Sequence, residues 1–294
     1  MDNDFIIGAS PTYGKADDNR YDNLNANRGT LRNRLATTAY NYESYLENRL
    51  HITPNFTAIA GIQHVYSKRK IDDKLITVPF GQSTPRDESF NRSYSQFNPK
   101  LGGIYQLNPM AQVFANISRS FEPPSFGELT SVTPEPLKAQ DGVTYEIGSR
   151  GNSENIDWDI SVYHARLNNE LLAASSIPGF LNTTVNANRT QHTGLEMGMT
   201  ARLPAQLEWR HSLAINDFRF DNDATYGNSR LPGIPHSLLR TELLYRNDGF
   251  YAGPTLEVSP ESFYVDFAQT LKNDSYALLG FKACLLYTSP SPRD

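Results

Sequence analysis

Residues 207–216 read Leu-Glu-Trp-Arg-His-Ser-Leu-Ala-Ile-Asn, and their period decides the fold. Leu207, Trp209, His211, Leu213 and Ile215 alternate with Glu208, Arg210, Ser212, Ala214 and Asn216. Successive side chains of a strand point to opposite faces, so this stretch carries one apolar and one polar face. The pattern recurs in both directions. Leu239, Thr241, Leu243 and Tyr245 alternate with Leu238, Arg240, Glu242, Leu244 and Arg246. Ile156, Trp158, Ile160 and Val162 alternate with Asp157, Asp159, Ser161 and Tyr163, and Leu195, Met197 and Met199 with Glu196, Gly198 and Thr200. No window of similar length shows a helical period. The chain reads as all-β.

Strand and loop lengths narrow the architecture. Strands are expected near residues 5–10, 33–49, 56–71, 91–107, 110–120, 139–150, 156–170, 188–203, 206–220, 236–247, 250–262 and 275–283. Most exceed the ~5–6 residues usual in soluble sheets and reach the ~9–11 that cross a bilayer at a tilt. Short connections, at His51-Ile52-Thr53-Pro54-Asn55, Asn108-Pro109, Gly151 to Asn155, Pro204-Ala205 and Asn247-Asp248-Gly249, alternate with long ones at 11–32, 72–90, 121–138, 171–187 and 221–235. Tight turns at one end and long loops at the other describe an antiparallel up-and-down transmembrane β-barrel, with a polar lumen and an apolar lipid face. Greek-key sandwiches have no reason to segregate loops in this way. By parity, Trp158, Ile160, Trp209, Leu213 and Leu243 should face lipid, and Asp159, Arg210 and Glu242 the lumen.

Composition agrees. The 294 residues carry a net charge of −5, 20% charged side chains and 11% aromatics, with 16 Tyr and 15 Phe. No apolar run approaches the ~18 residues of a membrane-crossing helix. Aromatic abundance suits strands, and a mildly acidic chain without a basic block is no nucleic-acid binder. Met1 opens onto no basic and apolar leader. The final segment, CLLYTSPSPRD from Cys284 to Asp294, departs from everything before it and resembles translated sequencing-adaptor read-through. It holds the one cysteine. The domain reading is therefore a partial barrel over 1–283 and an artefactual tail over 284–294.

Phe114 to Leu129, FANISRSFEPPSFGEL, resembles the strand-and-loop signature of TonB-dependent outer-membrane receptors. The resemblance continues through LKAQDGVTYEIGSRG (137–151), WDISVYHARLNNELL (158–172) and NANRTQHTGLEMGM (186–199). YNYESYLENRLHITPNFTAIAGIQ (40–63), FNPKLGGIYQLNP (97–109), LPGIPHSLLRTELLY (231–245) and GFYAGPTLEV (249–258) look like neighbouring barrel strands. The resemblance implies a Gram-negative outer-membrane receptor that imports an iron chelate of the siderophore or ferric citrate type. It implies energy from the TonB–ExbB–ExbD complex, through an N-terminal segment and plug domain that have no counterpart here. Barrels of this kind have 22 strands. About 12 of the 22 are expected, forming an open wall without a closing pair between its end strands. A passive outer-membrane porin and a soluble all-β ligand-binding module remain the alternatives.

Catalytic and resident-metal chemistry find little support. His51, His64, His164, His192, His211 and His236 show no metal-ligand spacing, and no nucleophile elbow or phosphate loop is present. No enzyme activity and no cofactor are expected. Asp221-Asn222-Asp223 reads as a solvated loop, and Pro123-Pro124 as the end of a strand, since proline cannot donate to a ladder. Ligand capture then falls to the loops. Arginines outnumber lysines 19 to 8. Arg20, Arg28, Arg32, Arg86, Arg189 and Arg230 are the candidates for binding an anionic chelate, because a guanidinium grips a carboxylate bidentately. Tyr21 and Tyr226 are candidates for packing on it. Lipopolysaccharide at the outer surface is the competing partner for such arginines.

Overall fold

The computed structural model describes residues 2–76, 78, 85, 87–129, 136–174 and 183–286. Its long strands are β1 (Asp2–Leu24), β2 (Asn27–Thr53), β3 (Phe56–Asp73), β4 (Phe90–Asn108), β5 (Ala111–Glu122), β6 (Gln140–Asn152), β7 (Ile156–Ala174), β8 (Thr183–Leu203), β9 (Leu207–Phe220), β10 (Ser237–Asn247) and β11 (Phe250–Ser259). A small hairpin, β12 (Phe263–Tyr264) and β13 (Lys272–Asn273), precedes β14 (Tyr276–Leu285). One short helix, α1 (Phe126–Leu129), follows β5. The Ser125 hydroxyl accepts from the Glu128 amide, and the Glu128 carboxylate accepts from the Ser125 amide, a reciprocal cap just past Pro123-Pro124.

β1 to β11 and β14 form a single 12-stranded antiparallel sheet, ordered as they occur in the chain. Among the described residues no pair joins β14 to β1, so the wall is open, as expected.

Directly paired residues of antiparallel strands share a face, and the register therefore assigns the faces. Ile160, Met197, Leu213, Leu239 and Val258 follow one another across five strands. Trp209 pairs with Leu243, and Trp158 with Met199, on that same face. The opposite face carries Asp159, Arg210 and Glu242. The parity read from sequence holds. Apolar side chains in the band are widely exposed; Ile7 and Leu279 are 81% and 82% accessible. Tyr13, Tyr40, Tyr42 and Tyr66 edge it at the long-loop end, and Tyr105, Trp158, Trp209 and Tyr245 lie towards the short-turn end. Amphipathic rings suit the two water–lipid boundaries.

Two boundaries differ from expectation. Residues 11–32 are not a long loop. β1 and β2 pair throughout this stretch, from Pro11↔Tyr42 to Leu24↔Asn27, and turn at Asn25-Ala26 with φ of 51° and 66°. β3 ends at Asp73, opposite Leu35. The two-stranded ribbon beyond it, residues 27–34 of β2 with their partners, reaches roughly 25 Å at ~3.3 Å per residue. Two register irregularities flank Tyr21 in it, and polar residues stand on both of its faces, so no period of two marks it. At the other end, the ladder runs past Ala283: Cys284 pairs with Tyr251 and Leu285 with Phe250. The Leu286 amide then donates to the Gly249 carbonyl at 2.8 Å. The remainder of the 284–294 segment lies outside the described residues.

Candidate vestibule wall

The polar face is a lattice of ion pairs. Glu208 forms ion pairs with Arg210 at 2.6 Å and Arg246 at 2.9 Å; Arg210 also meets Glu242, which holds Lys282. Arg240 and the Tyr276 hydroxyl converge on Glu257 at 2.6 and 2.9 Å. Glu47 binds Arg49 and Lys100, and Arg202 binds Asp157. Such pairs in a wet lumen contribute little individually but keep the face polar and wettable.

Towards the long-loop end the face turns aromatic. His192 on β8 lies flat on Phe218 of β9, with centroids 4.0 Å apart and planes 7° from parallel. Its Nε2 is 3.2 Å from the Glu170 carboxylate, which also accepts the Thr190 hydroxyl. Tyr163 meets the edge of Phe218 at 6.5 Å and sits beside Gly194, where a Cβ would lie 2.5 Å from its hydroxyl. Beyond these residues, Ala187, Phe220, Leu231 and Phe267 form a buried cluster flanked by Tyr226 and Ile234.

That cluster ties two loops together. The Gly233 amide donates to the Tyr264 carbonyl at 2.8 Å, and Gln269 donates to the Arg230 carbonyl at 3.2 Å. Asp266 organises the second loop, accepting the amides of Thr270 and Leu271 and the Thr270 hydroxyl. The Leu271 amide bond and the Thr270 hydroxyl hold the Asp266 carboxyl below the usual carboxylate range. A depressed folded value means that the stabilisation is complete above the unfolded value, ~3.9, and is lost as pH falls through the lower folded one. Amide exchange at Leu271 should therefore stay slow to below pH 4 and accelerate in Asp266→Ala at every pH above that. Equal exchange in both proteins would remove Asp266 from this role.

The sequence candidates fall into separate places. Arg20, Tyr21, Arg28 and Arg32 all lie on the β1–β2 ribbon. Arg28 covers the Tyr21 ring at 4.7 Å, and Arg20 meets Asp18 at 2.9 Å. Arg32 donates to both carboxylate oxygens of Asp22 at 2.8 Å, which holds that carboxyl below its ordinary range. Tyr226 stacks on Phe220 at 4.9 Å and lies tilted against Phe267 at 5.5 Å, so its ring packs within the loop cluster. Arg230 reaches Asp217 at 3.3 Å. Arg189, on β8 opposite Asn168, shares the face of His164 and Leu195, the apolar side of the wall. Arg86 lies outside the described residues. The ribbon and the 221–235 loop are separated by the six strands from β3 to β8. Glu170, Thr190, His192 and Phe218 were not candidates in the sequence, because only the strand register brings them together.

Comparison with known proteins places this geometry. The profile of the family described as TonB dependent receptor-like, beta-barrel matches residues 2–288. The metal-pseudopaline receptor CntO of Pseudomonas aeruginosa is 26% identical over 153 residues, covering 51% of this chain and 21% of that protein. The ferric yersiniabactin uptake receptor FyuA of Yersinia pestis superposes with a TM-score of 0.76 at 17% identity, over 95% of this chain and 43% of that one. The copper transporter OprC superposes at 0.77 with 15% identity, over 98% and 47%. The chain thus spans about a fifth of the curated relative's length and less than half of each solved structure.

Proposed function

The chain belongs to the TonB-dependent receptor β-barrel family, whose members are transport receptors of the Gram-negative outer membrane, and from that premise we propose that it walls the import path for a metal chelate. The observation that carries this reading is the two-faced sheet: an apolar band edged by tyrosines on one side, an ion-paired lattice on the other. Iron chelates of the siderophore or ferric citrate type are the proposed cargo, and TonB with ExbB and ExbD the proposed source of energy. Ferric yersiniabactin, metal-pseudopaline and copper in the names of the similar proteins support cargo of this general kind. The family assignment favours this reading over a passive porin or a soluble module.

Capture is proposed at the long-loop end, where the arginine-bearing ribbon and the 221–235 loop project beyond the apolar band. Rim charges act chiefly on the association rate and its salt dependence. Arg28→Ala and Arg230→Ala, made in a full-length receptor carrying this wall, should slow association of an anionic ferric chelate several-fold at low salt and flatten its salt slope. Unchanged rates and slopes in both variants would return these residues to a solvated role.

A further inference from the structure

We propose that residues 123–129 and 136–138 of the connection between β5 and β6 form a fixed shelf over the lumen, which limits the size of the chelate able to pass. The inference rests on the import reading and adds to it an element that sets specificity. Arg69 of β3 pairs with Arg92, and Tyr94 of β4 with Ser67, in phase with the Gly61–Lys100 pair of the polar face. Both side chains hold the connection. The Arg69 guanidinium lies over the Phe126 ring of α1 at 5.8 Å, and the Tyr94 hydroxyl donates to the Leu137 carbonyl at 3.3 Å. On its other flank α1 packs near β8, five strands along the sheet from β3. Five strand spacings make roughly 24 Å along the sheet, whereas α1 is about 6 Å long. It meets both only by standing across the hollow, polar side of the wall.

The shelf is braced at both ends. The Asn41 side-chain oxygen accepts Arg69 at 2.7 Å and the Ser67 hydroxyl at 2.8 Å, which fixes the guanidinium over Phe126. Pro123 and Pro124 have φ locked by their rings, Pro124 is fully buried, and the Ser125–Glu128 cap closes the only turn of α1. At the exit Leu137 is buried, and the Asn186 side chain grips the Lys138 backbone twice. Its oxygen accepts the Lys138 amide at 2.8 Å, and its nitrogen donates to the Lys138 carbonyl at 3.0 Å. The same nitrogen donates to the Asn169 carbonyl at 2.7 Å, where β7 takes a φ of 53°. Such a conformation at a residue other than glycine persists only where its surroundings hold it. One side chain thus clamps the shelf to a kink in the neighbouring strand. A segment tied to three strands in this way has little freedom to swing, and what stands still in a mouth sets its width.

The test uses a full-length receptor carrying this wall, in a Cys284→Ser background. Uptake is measured for ferric citrate, a ferric trihydroxamate and a ferric triscatecholate, each with and without a pendant fluorescein. Wild type should take up at least one parent chelate and carry its fluorescein form at least five-fold more slowly. Asn186→Leu removes all three bonds at similar volume; it should raise uptake of the fluorescein form at least five-fold and leave the parent within two-fold. Tyr94→Phe should act in the same direction. A disulfide between Lys138→Cys and Asn186→Cys should restore exclusion without slowing the parent. A disulfide that blocks the parent until reduced would show a moving loop and overturn the proposal. Equal uptake of both forms by wild type would do so too, as would unaltered exclusion in Asn186→Leu barrels shown to be folded by heat-modifiable migration. If that variant fails to fold, Tyr94→Phe and the cysteine pair decide. A folded wild type that takes up no parent chelate sinks the import reading itself.

Discussion

Leu213→Arg, introduced into a complete barrel that carries this wall, is expected to lower stability by about 2–4 kcal/mol, the cost of a guanidinium near the bilayer midplane. Leu213 sits between Met197 and Leu239 in register, in the middle of the apolar face. Ser212→Arg, one residue away, should cost far less. Ser212 lies between Gly198 and Arg240 on the polar face, where the added cation meets the Arg210–Glu242 lattice and water. Reversible unfolding in lipid measures both. Equal losses at the two positions would count against a bilayer on the Leu213 side, because only an alternating environment separates adjacent residues so sharply.

Phe220→Ala should loosen the loop assembly by about 3–5 kcal/mol, the range for truncating a buried phenylalanine. Phe220 is 3% exposed and packs with Tyr226 and Phe267, so its ring joins the end of β9 to both neighbouring loops. Removing it leaves a void where two segments meet, between the rings of Tyr226 and Phe267. Amide exchange at Leu231 and Leu271 should accelerate together, since Leu231 belongs to the cluster and Leu271 to the loop that Phe267 anchors. Tyr226→Ala should cost less, its ring being half-buried. Acceleration at one amide without the other would show that the loops are stabilised independently.

Legibility in the sequence follows the physics of each element. The strands from 33 onwards are readable because one face is apolar and the other polar, and that contrast survives without any knowledge of neighbours. The Asp248-Gly249 turn is readable because both central residues need positive φ, and glycine adopts it freely. Asn25-Ala26 makes a two-residue turn with alanine in the same region, so the usual signature is missing. The flanking Lys15, Asp17, Asp18, Arg20 and Asp22 offer no greasy face to detect. The site shows the same divide. Arginine-rich segments stand out by composition, yet Arg32 and Arg230 prove to be held by Asp22 and Asp217. The contact of His192 with Glu170, 22 residues apart, depends on how β7 and β8 align, which no single strand's pattern states.

The sheet keeps its strands in the order of the chain, and this bears on how such a wall is built. Each strand but β14, which pairs with β11 across the small β12–β13 hairpin, finds its partner in the strand made just before it, so pairing can proceed by closing hairpins, whose entropic cost grows only slowly with loop length. Local contacts of this kind also favour faster folding than long-range pairings do. Assembly can then advance as a ratchet, every new strand templated on the exposed edge of the last. The corollary is polarity of damage: a strand that fails to pair stalls all that follow it and leaves its predecessors intact.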